Sequence, residues 1–269
     1  MIYAIGDIHG ELPLLEELID EIRWDAHQKA DKQHKLVFIG DYVDRGLHSR
    51  EVIDRVIGGV DGFETICLRG NHEQMFMDFV ESPTLEKAKS LDRDFVGGKE
   101  TLQSYDIDLA DLIEILGNEG EITGHLAAIP DAHMRWMANL PHWHFEEGYC
   151  FVHAGVRPGV DVRAQQERDA LWIRGDFTDS DHDHGSMIVH GHTTSREPEL
   201  KSNRINIDTG ACLFGTLTAV ALEKWAPRFI QVNGERTAPF PSKELMAQRQ
   251  REREKEGQRE REEAERRGE

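Results

Sequence analysis

The stretch Gly40-Asp41-Tyr42-Val43-Asp44-Arg45-Gly46 puts two carboxylates and a guanidinium within five residues, directly after the apolar run Leu36-Val37-Phe38-Ile39. Such a turn can hold a cation on one side while Arg45 offers a planar fork to an anion on the other. Other apolar runs end the same way. Ile2 to Ile5 leads to Asp7 and His9, Phe63 to Leu68 to Asn71, Tyr149 to Val152 to His153, and Met187 to Val189 to His192. In open α/β sheets, ligands collect beyond the carboxyl ends of the strands. The recurrence therefore predicts that Asp7, His9, Asp41, Asn71, His153 and His192 converge on one edge. Any one of these motifs alone reads as an ordinary turn or a surface histidine; their repetition at successive strand ends is what points to chemistry. The donors are carboxylate, imidazole and amide with no thiolate, which suits Mn²⁺, Fe or Zn²⁺.

The elements that would position these residues alternate between strands and helices, predicting a layered α/β (α+β) architecture. Leu14, Leu15, Leu18, Ile19 and Ile22 fall at helical spacing, so a helix is expected over 12–22, with Pro13 in its first turn. Further helices are expected over 51–57, closed by Gly58-Gly59, and over 74–80. Residues 83–148 carry few β-branched runs and helix-like patches at 109–116 and 132–140, and read as a mostly helical insertion. Gly97-Gly98 either lets backbone approach the site or only breaks a helix. Arg204 to Ile207, Leu217 to Leu222 and Phe229 to Val232 read as further strands. The expected division is a catalytic domain over 1–241 and a charged tail over 242–269, either a solvated helix or disordered.

Lysine and arginine number 32 against 51 acidic residues, a net charge of −19. The tail holds nine basic residues and nine glutamates, so the whole excess belongs to 1–241. A body of that charge repels nucleic-acid backbones, which argues against a nucleic-acid partner. Met1 to Ile5 runs straight into Gly6-Asp7, with no basic n-region and no long apolar stretch, so neither a secretory signal nor a membrane span is expected. Cys67, Cys150 and Cys212 are far apart and form no CxxC pair, as expected of reduced thiols in a cytoplasmic protein.

Gly6-Asp7-Ile8-His9-Gly10, the Gly40 to Gly46 block and Arg69-Gly70-Asn71-His72-Glu73 resemble the three signature blocks of the phosphoprotein phosphatases, a family of calcineurin-like dinuclear metallophosphoesterases. His153-Ala154-Gly155 and Gly191-His192-Thr193 match its two later metal-binding blocks. Gln74-Met75, Leu171 to Arg174 and Ile207 to Ala211 resemble its bacterial and lambda-phage branch of serine/threonine phosphatases. The similarity spans most of 1–222, is loose over 83–148 and is absent from the tail. It implies a β-sandwich flanked by helices and two divalent ions, most simply Mn²⁺ with Fe or Zn as alternatives. Asp7, His9 and Asp41 would bind the first ion; Asp41, Asn71, His153 and His192 the second, with Asp41 as the bridge. His72 would be the general acid, Asp44 its orienting carboxylate, and Arg45 and Arg174 the phosphate ligands. The implied reaction is direct attack of metal-bound water or hydroxide on a phosphorylated protein or peptide.

Two other readings compete. A symmetrical diadenosine tetraphosphate hydrolase shares the first and third blocks, but typically lacks the second Asp of the middle block and ends the third in Asp. This chain has Asp44 and Glu73. A non-catalytic binding module on a phosphatase fold is expected to have lost ligands, and none is missing here. His182, His184, His142 and His144 read as loop, packing or surface residues, and His190 is assigned no role.

Overall fold

The computed structural model describes residues 1–29, 33–223 and 226–237. The charged tail over 242–269 lies outside the described residues. In chain order, β1 (Ile2–Ile5), α1 (Leu12–His27), β2 (His34–Phe38), α2 (Ser49–Ile57), β3 (Phe63–Cys67) and α3 (Asn71–Glu81) alternate strand and helix. A helical stretch follows: α4 (Leu85–Leu91), α5 (Gly98–Ser104), α6 (Leu109–Gly117), α7 (Thr123–Leu126) and α8 (Asp131–Ala138). Then come β4 (Trp143–Glu146), β5 (Tyr149–Val152), α9 (Glu167–Trp172), α10 (Gly175–Thr178), β6 (Met187–His190), β7 (Glu199–Leu200) and β8 (Arg204–Asn206). Last are α11 (Ala211–Phe214), β9 (Thr216–Glu223) and β10 (Ala226–Asn233).

The strands form two sheets, ordered β10-β9-β1-β2-β3 and β4-β5-β6-β8-β7. In the first, β1, β2 and β3 are parallel, β9 is antiparallel to β1, and β10 is antiparallel to β9; in the second, β5, β6 and β8 are parallel between antiparallel edges. Successive strand residues face opposite sides of a sheet, and the cores obey that period. Ile2, Ala4 and Val37 meet Tyr149, Phe151, Val189 and Ile205 between the sheets. Their neighbours Tyr3, Ile5, Leu36 and Phe38 face α1, α2 and the helical stretch on the outside of the first sheet. Cys150, Val152 and Ile188 face Ala170, Ile173 and Phe177 on the outside of the second. The result is two packed sheets with helices on both outer faces, as expected.

The differences lie mainly in extents. α1 continues to His27, beyond the expected end at Ile22, and buries Ala26 in its added turn. Leu102, Leu109, Leu112 and Met137 of the 83–148 stretch join the same buried cluster as Tyr3 and Phe38, so these helices extend the main core. That stretch also contains a strand. Trp143-His144-Phe145-Glu146 alternates apolar and polar and pairs with β5, turning through Glu147 and Gly148, both at positive φ (47° and 85°). Two left-handed residues make the tight hairpin that matches strand twist. Among the described residues, no helix is long and apolar enough to cross a membrane.

The alternation generates a test. Phe151 is fully buried between the sheets, so Phe151→Ala is expected to cost about 3–5 kcal/mol. In urea unfolding the midpoint should fall with the slope unchanged; a loss below about 1 kcal/mol would contradict the inter-sheet register.

Candidate metal centre

The parallel strands of both sheets end on the same edge, and the six expected ligand residues lie there, with Asp7 outside both groups of mutually close donor atoms. Asp7 and His9 follow β1, Asp41 follows β2, Asn71 opens α3, and His153 and His192 follow β5 and β6. His153 Nε2 lies 2.8 Å from Asn71 Oδ1, 3.2 Å from His192 Nδ1 and 3.4 Å from Asp41 Oδ1. The His153 Nδ1–H donates to the Ile39 carbonyl at 3.1 Å, which fixes the tautomer and leaves the Nε2 lone pair facing the cluster. Two acceptors, Nε2 and Asn71 Oδ1, therefore face each other with no hydrogen between them. On the other side, His9 donates from Nδ1 to the Val43 carbonyl at 2.8 Å and turns Nε2 toward Asp41 Oδ2 at 3.4 Å. The two Asp41 oxygens thus serve different clusters. Asp7 Oδ2 accepts the His192 backbone N–H at 3.1 Å, and Asp7 Oδ1 is buried without a hydrogen-bond partner among the described residues.

Burial governs the charges. It pushes the Asp7 carboxyl well above the usual range, helped by the nearby Asp208 and Asp41 charges. Burial also pushes Asp41 up to about 7, against the pull of Arg45 and the His72 N–H. The imidazoles move the other way: burial lowers His153 to about 4 and holds His9 and His192 well below their ordinary value. The neutral imidazole is the form that ligates a metal, and a cation beside Asp7 and Asp41 would favour their ionised forms against the burial that raises them.

Next to these clusters, His72 Nδ1 donates to Asp44 Oδ2 at 2.6 Å, leaving Nε2 directed into the site. Asp44 is fixed in turn: its Oδ1 accepts from the Thr101 hydroxyl at 2.6 Å, and its N–H donates to Thr101 and Ser49 at 2.7 and 3.1 Å. Arg45 donates to His9 Nε2 at 2.8 Å and to His72 Nε2 at 3.0 Å. A cation bonded to His9 Nε2 and that hydrogen bond exclude each other, so Arg45 must turn away from His9 to meet one. Arg174 donates to the His192 carbonyl at 3.0 Å and lies at the rim. The turn carrying Asp41 is held by Glu73, which is wholly buried. Its Oε2 accepts the N–H of Asp41 and Gly70, both at 2.9 Å, and its Oε1 those of Tyr42 and Val43 at 2.8 and 3.2 Å.

The calcineurin-like phosphoesterase family model matches residues 1–211. The chain belongs to that family. It is 28% identical over 264 residues to the asymmetrical bis(5'-nucleosyl)-tetraphosphatase PrpE of Anoxybacillus flavithermus, a match covering 91% of this chain and 98% of the relative. The PrpE of Halalkalibacterium halodurans is also 28% identical, over 80% of this chain and 87% of its own. Among solved structures, a provisionally named diadenosine tetraphosphatase shares the fold with a TM-score of 0.58 at 21% identity, over 87% of this chain and 93% of that one. A cold-active protein-tyrosine phosphatase from a psychrophilic Shewanella has a TM-score of 0.50 at 17% identity, over 86% and 76%.

The fold of calcineurin-like phosphoesterases implies a divalent-metal site, and the residues here fit one. Two groups of donor atoms lie close enough to share an ion, His9 with Asp41 and His72, and Asp41 with His153 and His192. Asp41 belongs to both. Ligands about 2.1 Å from an ion lie roughly 3 Å from one another, which matches the spacing around His153. The facing lone pairs of His153 and Asn71 and the partnerless Asp7 oxygen are groups that a cation would satisfy.

Sequence reasoning left Thr101, Ser49, Asp208 and the Glu73 clamp without roles. Glu73 was detectable, because a Glu three residues after the helix-starting Gly70 is a capping arrangement. Thr101 was signalled only by Gly97. At φ 75°, Gly97 packs its backbone on Arg45, accepts the Arg45 N–H at 3.0 Å, and leaves no room for a Cβ. His190 packs edge-on against Phe177, and so stays outside the donor set.

Two outcomes follow from this geometry. Glu73→Gln sets an NH₂ group against backbone N–H donors, and is expected to lower unfolding free energy by about 1–3 kcal/mol in denaturant titration. Asp41→Asn is expected to lose divalent metal from both clusters by elemental analysis after dialysis. Unchanged metal content in that variant would contradict the shared role.

Proposed function

We propose that the chain is a dinuclear-metal phosphomonoesterase acting on phosphoserine and phosphothreonine in proteins, with Mn²⁺ as the favoured ion. Asp7, His9 and Asp41 hold one cation and Asp41, Asn71, His153 and His192 the other. When bound, such a pair polarises the phosphoryl oxygens and acidifies a shared water. Arg45 and Arg174 take the outer phosphoryl oxygens, Arg45 after leaving His9. His72 gives a proton from Nε2 to the departing alkoxide oxygen.

The observation that carries this reading is the buried His72–Asp44 pair at 2.6 Å. An alkoxide is a poor leaving group and needs a proton; a phosphate leaving from an anhydride does not. Burial, then the Arg45, His153 and Arg174 charges, holds His72 well below its ordinary value. A bound phosphate dianion would offset the two arginines, and Asp44 Oδ2 faces Nδ1; both act against the burial and favour the charged imidazole that proton donation requires. A second reading, hydrolysis of dinucleoside tetraphosphates, is favoured by the names of the relatives at 28% identity.

His72→Asn is expected to cut turnover of a phosphoserine peptide by about 10²–10⁴-fold. The same variant should lose far less on p-nitrophenyl phosphate, whose nitrophenolate departs without a proton. Equal losses on both substrates would remove the acid role. Faster wild-type turnover of diadenosine tetraphosphate than of the peptide would select the second reading.

A further inference from the structure

Of the seven large apolar side chains exposed among the described residues, Trp172 and Phe95 contact residues of the metal centre, and Leu47 and Phe214 lie two residues from others that do. Trp172 is 41% exposed and stands edge-on to the His192 ring, centroids 6.2 Å apart. Phe95 is exposed and its carbonyl accepts the Arg45 Nε–H at 3.3 Å. Leu47 follows Arg45 by two residues, and exposed Phe214 follows Cys212, whose Sγ lies 3.7 Å from Arg45 Nη1. Hydrolysis of a small phosphate ester uses none of this apolar rim.

Beside Trp172 and Arg174 opens a cleft of about 1150 Å³ along α9 and α10. Its charged lining is balanced: Arg157, Arg168 and Arg174 against Asp169, Asp176 and Asp179. Arg157 is already held by Asp169 at 2.6 and 2.8 Å and by Asp176 at 3.2 Å. A polyphosphate laid along this cleft would set its charge against those carboxylates, in a chain of net charge −19. A peptide segment without a concentrated charge, carrying an apolar side chain, is the occupant that a charge-balanced cleft with Trp172 at its edge fits.

We propose that this cleft seats the polypeptide flanking the phosphorylated residue, and that Trp172 selects an apolar or aromatic neighbour of it. The inference rests on the phosphoprotein reading above. Trp172 acts as the anchor because a rigid, half-exposed indole gains most when a partner side chain completes its burial.

The test compares phosphoserine peptides that differ only in Phe or Gly immediately before or after the phosphoserine, using Mn²⁺-loaded full-length protein. Wild type is expected to favour one Phe peptide in kcat/KM by about tenfold, mainly through KM. Trp172→Ala should collapse that ratio to about one, and Trp172→Phe should keep most of it. Because the ratio is taken within one preparation, damage that lowers both peptides equally cannot imitate the result. A ratio near one in wild type, or an unchanged ratio in Trp172→Ala, overturns the proposal while the phosphoprotein reading stands. Failure to turn over any peptide, with diadenosine tetraphosphate hydrolysed, overturns both.

Discussion

The Glu73 carboxylate is the interaction on which the site depends. It accepts four backbone N–H groups: Asp41 and Gly70 on one oxygen, Tyr42 and Val43 on the other. One side chain thus joins the turn after β2 to the start of α3, and the Asp41 backbone to the helix that carries Asn71 and His72. Burial and the Asp41 charge push the Glu73 carboxyl up to about 7, and the N–H donors and the first turn of the helix offset that cost. Helix position, turn shape and the aim of the shared ligand are therefore one problem with one solution.

That solution holds the backbone in conformations that side chains avoid. His9, Asp41, Asp44, Arg45 and His192 all have positive φ, between 48° and 73°. Each such position costs on the order of 1–3 kcal/mol and persists only where the surroundings over-determine it. Here they do. Ile8 and His9 donate to the Asp41 carbonyl, Gly10 to Tyr42, and Gly46 to His9. The first two site loops pack so closely at Gly10 and Gly46 that neither could carry a Cβ. Stability is spent on alignment, and the two helical layers and the inter-sheet core supply the surplus.

What was legible in the sequence was local. Asp7, Asp41, Asn71, His153 and His192 each lie next to an apolar run whose strand they follow, so strand and ligand were visible together. The 12–22 helix announced itself by spacing, and the two-sheet sandwich came from resemblance. What was not legible is long-range or short. Thr101 reaches Asp44 across 57 residues, and only the Gly97-Gly98 pair just before it hinted that its loop meets the site. β4, α7, α9, α10 and α11 are six residues or fewer, too short to show a period. Trp172 looks like any aromatic in a helix until the fold turns it toward His192.

Strand order has a further consequence. β1, near the start of the chain, sits in the middle of its sheet and pairs with β9, so Ile5 lies opposite Ala219. The donors are spread from Asp7 to His192, and the loop behind them is tied through Asp208 and Thr194. During synthesis, a chain that has not reached His192 lacks a donor of the second cluster, and one that stops before β9 leaves β1 without its partner on that side. A site that draws one donor cluster from strands made early and late in synthesis is thereby coupled to assembly of both sheets.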